Sequence, residues 1–151
     1  MIIKSKSAQE TIQIAKKLAS FLHGGEIILL NGDLGSGKTT FVKGIAQFFN
    51  IKQSITSPTF TLMKTYPLVN GLLVHIDAYR LELAYFEEME DYLNENNIIF
   101  IEWSNYLKSQ DLFQDNLSIT ITRISKNQRK IILEAHGDRY EKIIEGMMKS
   151  V

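Results

Sequence analysis

Ile27-Ile28-Leu29-Leu30-Asn31-Gly32-Asp33-Leu34-Gly35-Ser36-Gly37-Lys38-Thr39-Thr40 is the stretch that decides the fold. Its four leading apolar residues run on without alternating, the pattern of a central strand covered on both faces. Directly after them, Gly32 to Thr39 matches G-x-x-x-x-G-K-[ST] at every fixed position. Glycines let the backbone curl until successive amides point inward at phosphate oxygens, where a β-carbon would clash. Lys38 can then reach the β- and γ-phosphates as a point charge, and the Thr39 hydroxyl can ligate Mg²⁺. The helix that follows aims the positive end of its dipole at the same anion. A dinucleotide-binding G-x-G-x-x-G pattern fails here, because it needs glycine where Thr40 stands. Guanine-specific proteins usually carry N-K-x-D, which does not occur, so adenine is favoured.

Outward from this stretch, the same patterning extends to a whole sheet. Upstream, Ser7 and Glu10 form a capping-box pattern. Ile12, Ala15, Ala19 and Leu22 then mark one buried helix face, Lys16 and Lys17 stay outside, and Gly24-Gly25 closes the helix. Downstream, a helix is predicted from Lys38 to Phe49, with Val42, Ile45 and Phe49 on one side, and residues 50–58 read as a loop. Strands over about 59–66 and 72–77 flank Asn70-Gly71, a turn dipeptide, which predicts an antiparallel hairpin. A helix with a polar, acidic side is expected over about 80–94. Ile98-Ile99-Phe100-Ile101 is a second fully apolar run and hence another central strand. The stretch from Leu117 to Ile124 alternates strictly, so it is half exposed, and it pairs with Lys130 to His136 across a polar turn. A last helix starts near Asp138, a good cap residue. The expected architecture is three-layer α/β, a P-loop-like fold with parallel central strands and antiparallel hairpin additions.

A phosphate loop with Mg²⁺ calls for an acid at the end of a neighbouring strand. Two positions qualify: Glu102 closes the run 98–101 and Asp77 closes the run 72–76. Both should emerge at the carboxyl edge of the sheet, where open α/β folds bind ligands. His75, within an apolar strand, is read as a satisfied core histidine. Arg123, Lys126, Arg129 and Lys130 cluster near a turn and read as a solvated hairpin tip, with contact to nucleic acid or an acidic partner as the alternative reading. For Tyr79 and Arg80, a partner or phosphate contact and simple coverage of apolar surface are both open readings.

Composition bounds the rest. The 151 residues fit a single domain of the commonest size, so one domain over 1–151 is expected. Seventeen basic side chains balance seventeen acidic ones, which argues against an extended footprint for nucleic acid or an anionic membrane. The absence of cysteine removes disulfides, thiolate metal sites and cysteine nucleophiles. No apolar run is long enough for a signal peptide or a membrane span, and a cytoplasmic location is the expectation.

Four segments together carry a specific resemblance: Gly32 to Thr40, Ser57-Pro-Thr-Phe-Thr61, His75-Ile-Asp-Ala-Tyr-Arg-Leu81, and Glu102-Trp103. In order and approximate separation they resemble the TsaE (YjeE) family of bacterial ATPases, required for threonylcarbamoyladenosine modification of tRNA. The resemblance implies low intrinsic ATPase activity in support of the partner proteins TsaB and TsaD, with tRNA met through those partners. It implies that Thr39 and Glu102 ligate Mg²⁺, and that Gly35, Ser36, Gly37, Lys38, Thr39 and Thr40 hold the phosphates of ATP. It also implies that Asp77 is a catalytic or water-positioning acid, that Thr59 lies in a switch-like loop sensing the γ-phosphate, and that Trp103 sits beside the nucleotide. Closure of the adenine side by the N-terminal helix and the late hairpin makes Thr11 and Arg129 candidates there. Two departures are local: Ser104 stands where the family usually has proline, and the stretch from Leu81 to Asn97 lacks its usual glycine and is slightly short.

Two other function classes share the same loop. A small-molecule or nucleotide kinase needs an acceptor pocket and a lid, for which 151 residues leave little room. A non-hydrolysing nucleotide-binding interaction module would bind without turnover.

Overall fold

The computed structural model describes residues 1–58, 62–78, 89–102 and 114–150. Among them, seven strands form one sheet. They are β1 (Ile2–Ser5), β2 (Ile27–Asn31), β3 (Met63–Pro67), β4 (Leu72–Asp77), β5 (Ile98–Glu102), β6 (Asn116–Arg123) and β7 (Arg129–His136). The helices are α1 (Ala8–Ala19), α2 (Lys38–Phe48) and α3 (Asp138–Lys149). The sheet order is β1-β7-β6-β2-β5-β4-β3. The pairs β6–β2, β2–β5 and β5–β4 are parallel, so a four-stranded parallel centre is flanked by antiparallel pairs at both ends. That is the mixed α/β architecture expected from the apolar runs.

The continuous runs sit where both faces are covered. Ile28, Leu30, Leu73, Ile98, Phe100, Leu117 and Ile119 join Leu18, Phe41, Val42, Ile45, Tyr140 and Met147 in one buried cluster, so α1, α2 and α3 share this face. The opposite faces of the central strands, carrying Leu29, Val74, Ile76, Ile99 and Ile101, pack with Met89, Tyr92 and Leu93. Burying each large aliphatic side chain contributes about 1.5–3 kcal/mol, which is why the centre carries no polar alternation. In β6 the alternation is real: Leu117, Ile119 and Ile121 are buried while Thr122 and Arg123 are exposed.

Several boundaries differ from the sequence expectation, each for a local reason. The first helix ends at Ala19, not at the glycine pair. The amides of Phe21 and Leu22 donate to the carbonyls of Leu18 and Ala19, tightening the last turn, and Gly24 and Gly25 instead shape the approach to β2. Its start is as expected, with the Glu10 amide donating to Ser7 Oγ at 3.1 Å, but the Glu10 carboxylate reaches the Lys6 amide rather than that of Ser7. β3 runs through Pro67, which an edge strand tolerates because its outer side needs no ladder donor. Residues 59–61 and 79–88 lie outside the described residues, and with them most of the expected strand start and of the helix over 80–94. In its described part that helix stops by Glu90. The Asn94 carboxamide oxygen accepts from the amides of Asn96 and Asn97, a local turn that competes with further helix. The cap of α3 is Gly137, with Asp138 as the first helical residue. β1 has no counterpart in the sequence reading. Four residues are too few to show a period, and the strand exists because the edge of β7 is there to pair with it.

Candidate functional site

Parallel pairing brings the carboxyl ends of β4, β5 and β2 to one edge of the sheet. Glu102 is opposite Leu30 on one side and Asp77 on the other. Neighbouring strands lie about 4.8 Å apart, so this register alone sets two carboxylates beside the exit of β2. Both are buried. Their side chains share the sheet face of Leu30 and Phe100, which is the face that α2 covers.

From β2 the chain turns through Gly32–Gly37 into α2. Gly35 and Gly37 have φ of +77° and +113°, conformations in which a side chain is strained. The Ser36 amide donates to the Asp33 carbonyl at 3.0 Å, closing the turn, and the Phe41 amide donates to the Gly37 carbonyl at 2.9 Å, opening the helix. The helix begins at Gly37 with no side-chain cap and no acid in its first turn. A helix start of this kind suits an anion. Lys38 is buried, and its ammonium donates to the Gly32 carbonyl, arching back over the loop. Burial lowers its pKa from the ordinary value, while the charges of Glu102, Asp77 and Asp33 pull it back up.

The resulting cleft, of about 280 Å³, is lined by the loop and helix start from Asp33 to Thr40, together with Ser57, Glu102 and Arg129. Gly35, Ser36, Gly37, Lys38, Thr39, Thr40, Glu102 and Arg129 are therefore brought together. Asp77 is not on the cleft wall; it lies behind, close enough for its charge to act on Lys38. A smaller adjoining recess of about 80 Å³ is lined by Ala8, Thr11, Gly37, Thr40, Lys126, Asn127 and Arg129. Thr11 and Arg129, far apart in sequence, thus meet at one place. The Thr11 hydroxyl is 2.6 Å from that of Ser5, which ties α1 to β1. Thr59 and Trp103 lie outside the described residues.

Arg129 is no freely solvated hairpin charge. Its Nε donates to the Ser36 carbonyl at 2.7 Å, and one terminal nitrogen donates to the carbonyls of Ser125 and Gln128 at 3.0 Å each. The guanidinium therefore pins the β6–β7 turn to the glycine loop. Arg123 and Lys126 are exposed, as expected of a hairpin tip. Ser57, Lys126 and Asn127 were not singled out as site residues. Ser57 stands within a quoted motif and Lys126 within the basic cluster near the turn, but nothing in the local sequence marks Asn127. His75 is a core histidine, fully buried as expected, but with one nitrogen committed to Glu102.

Chemically, the cleft offers one ammonium, a hydroxyl at Thr39, a carboxylate at Glu102 and a loop open to an anion. Among the described residues, no group of three or more His, Cys, Asp or Glu side chains is gathered for a metal. A metal held here would need oxygens from a ligand and water as well, the habit of Mg²⁺.

Sheet order, loop and cleft together define a protein of α/β P-loop-like fold. The crystal structure of Bacillus subtilis YdiB superposes with a TM-score of 0.85 at 33% identity, covering 99% of this chain and 95% of that one. The family described as "Threonylcarbamoyl adenosine biosynthesis protein TsaE" matches residues 5–131. The tRNA threonylcarbamoyladenosine biosynthesis protein TsaE of Bacillus subtilis is 37% identical, over 97% of this chain and 92% of its own length. Its namesake in Aquifex aeolicus is 36% identical, over 83% of this chain and 90% of its own. This chain belongs to the TsaE family.

Proposed function

We propose that this chain is a single-domain, cytoplasmic Mg-ATP-binding protein with slow intrinsic hydrolysis, which supports TsaB–TsaD-dependent threonylcarbamoyladenosine modification of tRNA. The observation that carries this reading is a buried Lys38 ammonium on an anion-ready loop, facing the carboxylates of Glu102 and Asp77. A buried ammonium that feels the charges of Glu102 and Asp77 and donates to the Gly32 carbonyl can exchange that carbonyl for a more highly charged anion. The names of the relatives supply the pathway.

In this reading the loop amides and Lys38 hold the triphosphate of ATP, with Gly35 and Gly37 supplying the backbone geometry. The donor set fits Mg²⁺, since Thr39 and Glu102 are hard oxygen ligands on the cleft wall. Mg²⁺ held by them would neutralise charge on the β- and γ-phosphates. Asp77, beside Glu102 on the next strand, is the second acid, in a catalytic or water-positioning role. Thr11 and Arg129 border the recess on the adenine side. Arg129 joins the hairpin to the loop, so occupancy at the phosphates can be felt at a surface where partners would contact the protein. Thr59 as sensor of the γ-phosphate and Trp103 beside the nucleotide complete the proposal. Contact with tRNA is through TsaB and TsaD.

Complementation tests this reading. Cells depleted of the protein should lose threonylcarbamoyladenosine in nucleoside analysis of their tRNA. The wild-type gene should restore it, and Lys38→Ala should not. Full restoration by Lys38→Ala contradicts the role of ATP, and an unchanged nucleoside on depletion removes the pathway assignment.

A further inference from the structure

His75 is 0% exposed and comes from β4, between Val74 and Ile76, with Phe100 beside it on β5 and Lys64 beside it on β3. Its Nε2 lies 3.0 Å from Oε1 of Glu102, itself 3% exposed. Among the described residues, Nδ1 has no hydrogen-bond partner. Nδ1 faces no acceptor among the described residues, so Nε2 is the nitrogen placed to donate to the Glu102 carboxylate.

The register makes this contact a consequence of the sheet. His75 pairs with Phe100, and Asp77 with Glu102, so His75 sits one step back along the adjacent strand on the face Glu102 shares. From there it reaches one carboxylate oxygen of Glu102, a residue that also lines the cleft. A glutamate has three side-chain torsions, and the charges of Lys38 and Asp77 pull and push on its carboxylate without fixing a direction. One fixed donor removes that freedom. A leucine or phenylalanine at position 75 would satisfy the core equally well and bury no polar atom, so packing does not account for an imidazole.

We propose that His75 is a positioning residue for Glu102, holding the carboxylate in the rotamer that meets Mg²⁺ in the nucleotide complex. This rests on the reading of Glu102 given above. Outer-shell donors to ligating carboxylates typically govern 10–100-fold of metal affinity.

The test uses the full chain, a limiting fluorescent ATP analogue, and titration with Mg²⁺. Wild type should show a Mg²⁺-dependent signal. His75→Leu should raise the half-saturating Mg²⁺ concentration by about tenfold, while nucleotide affinity without Mg²⁺ stays unchanged. His75→Gln carries an amide N–H near the place of Nε2 and should restore most of the loss; His75→Asn carries it near Nδ1 and should not. In a Glu102→Ala background, His75→Leu should add nothing, because its effect passes through that carboxylate. A folded His75→Leu that matches wild type overturns the proposal, as does an equal loss in the Glu102→Ala background. If leucine prevents folding, equal behaviour of the glutamine and asparagine variants overturns it. A wild-type chain with no Mg²⁺ response overturns the reading of Glu102, and the proposal with it.

Discussion

The cleft has two walls of different origin. One, from Gly32 to Thr40, is a continuous piece of chain whose shape follows from its own glycines and the helix it opens. The other is assembled from Glu102 at the end of β5 and Arg129 at the start of β7, residues more than sixty positions beyond the loop. The first wall is local and tolerates little change in residue type. The second depends on register: Glu102 is present because it pairs with Leu30, and Arg129 because β7 lies beside β6, which lies beside β2. Binding chemistry here is written locally, but it is completed by strand pairing.

The largest effect should come from breaking the local wall. An ideal β-carbon at Gly32 would stand 2.5 Å from both the Ile121 carbonyl oxygen and Ser36 Oγ, at a φ of +155°. Relief requires moving β6 backbone or the loop, so Gly32→Ala should destabilise the fold by about 1–3 kcal/mol. It should also remove nucleotide binding from the molecules that remain folded. Thermal unfolding and a nucleotide titration measure the two parts separately; retention of both would show that the loop is less constrained than its geometry implies.

A change in the assembled wall should be milder and more selective. Arg129→Ala removes the donor to the Ser36 carbonyl and to the turn carbonyls, freeing the hairpin from the loop. With the hairpin no longer held to the loop, nucleotide affinity should fall about tenfold, a larger loss than that in melting temperature because the turn bonds of Arg129 are solvent-exposed. Arg129→Lys should not rescue it, since one ammonium cannot reproduce the planar fork. Equal losses in affinity and stability would instead make Arg129 a general staple.

The smallest effect joins the two walls through Lys38. Burial holds its pKa below the ordinary 10.5, so in the free protein it loses its proton at a lower pH than an exposed lysine. Phosphate binding needs the ammonium, and affinity should therefore weaken as pH climbs through that lowered value. Folding stability moves the opposite way. Between the lowered value and 10.5 the unfolded chain binds more protons, so this group's contribution to stability rises with pH. Calorimetric affinities on the alkaline side, compared with Lys38→Arg, which stays charged, check the sign; identical profiles would detach the effect from Lys38.

Much of this was legible in the chain before folding. The continuous runs Ile27–Leu30 and Ile98–Ile101 marked the central strands because only a doubly covered strand can bury every side chain. Asp77 and Glu102 were found as the first charges after apolar runs, and Asn70-Gly71 marked a hairpin turn. Less legible were short or tightened elements: β1, which is a strand only by virtue of β7, and the end of α1, where a turn of i–3 hydrogen bonds closed the helix before any glycine.

Taken alone, the sequence determined the glycine-rich turn from strand to helix, the strand character of the centre and the two acids at strand ends, because each is set by residues within a few positions of one another. Only the tertiary structure decided that His75 meets Glu102, that Asp77 comes to stand beside Glu102, and that Arg129 closes on Ser36. These contacts depend on strand order and register. Such pairings are chosen by the burial of whole faces, summed over many side chains, and no local pattern encodes which distant residues will then meet.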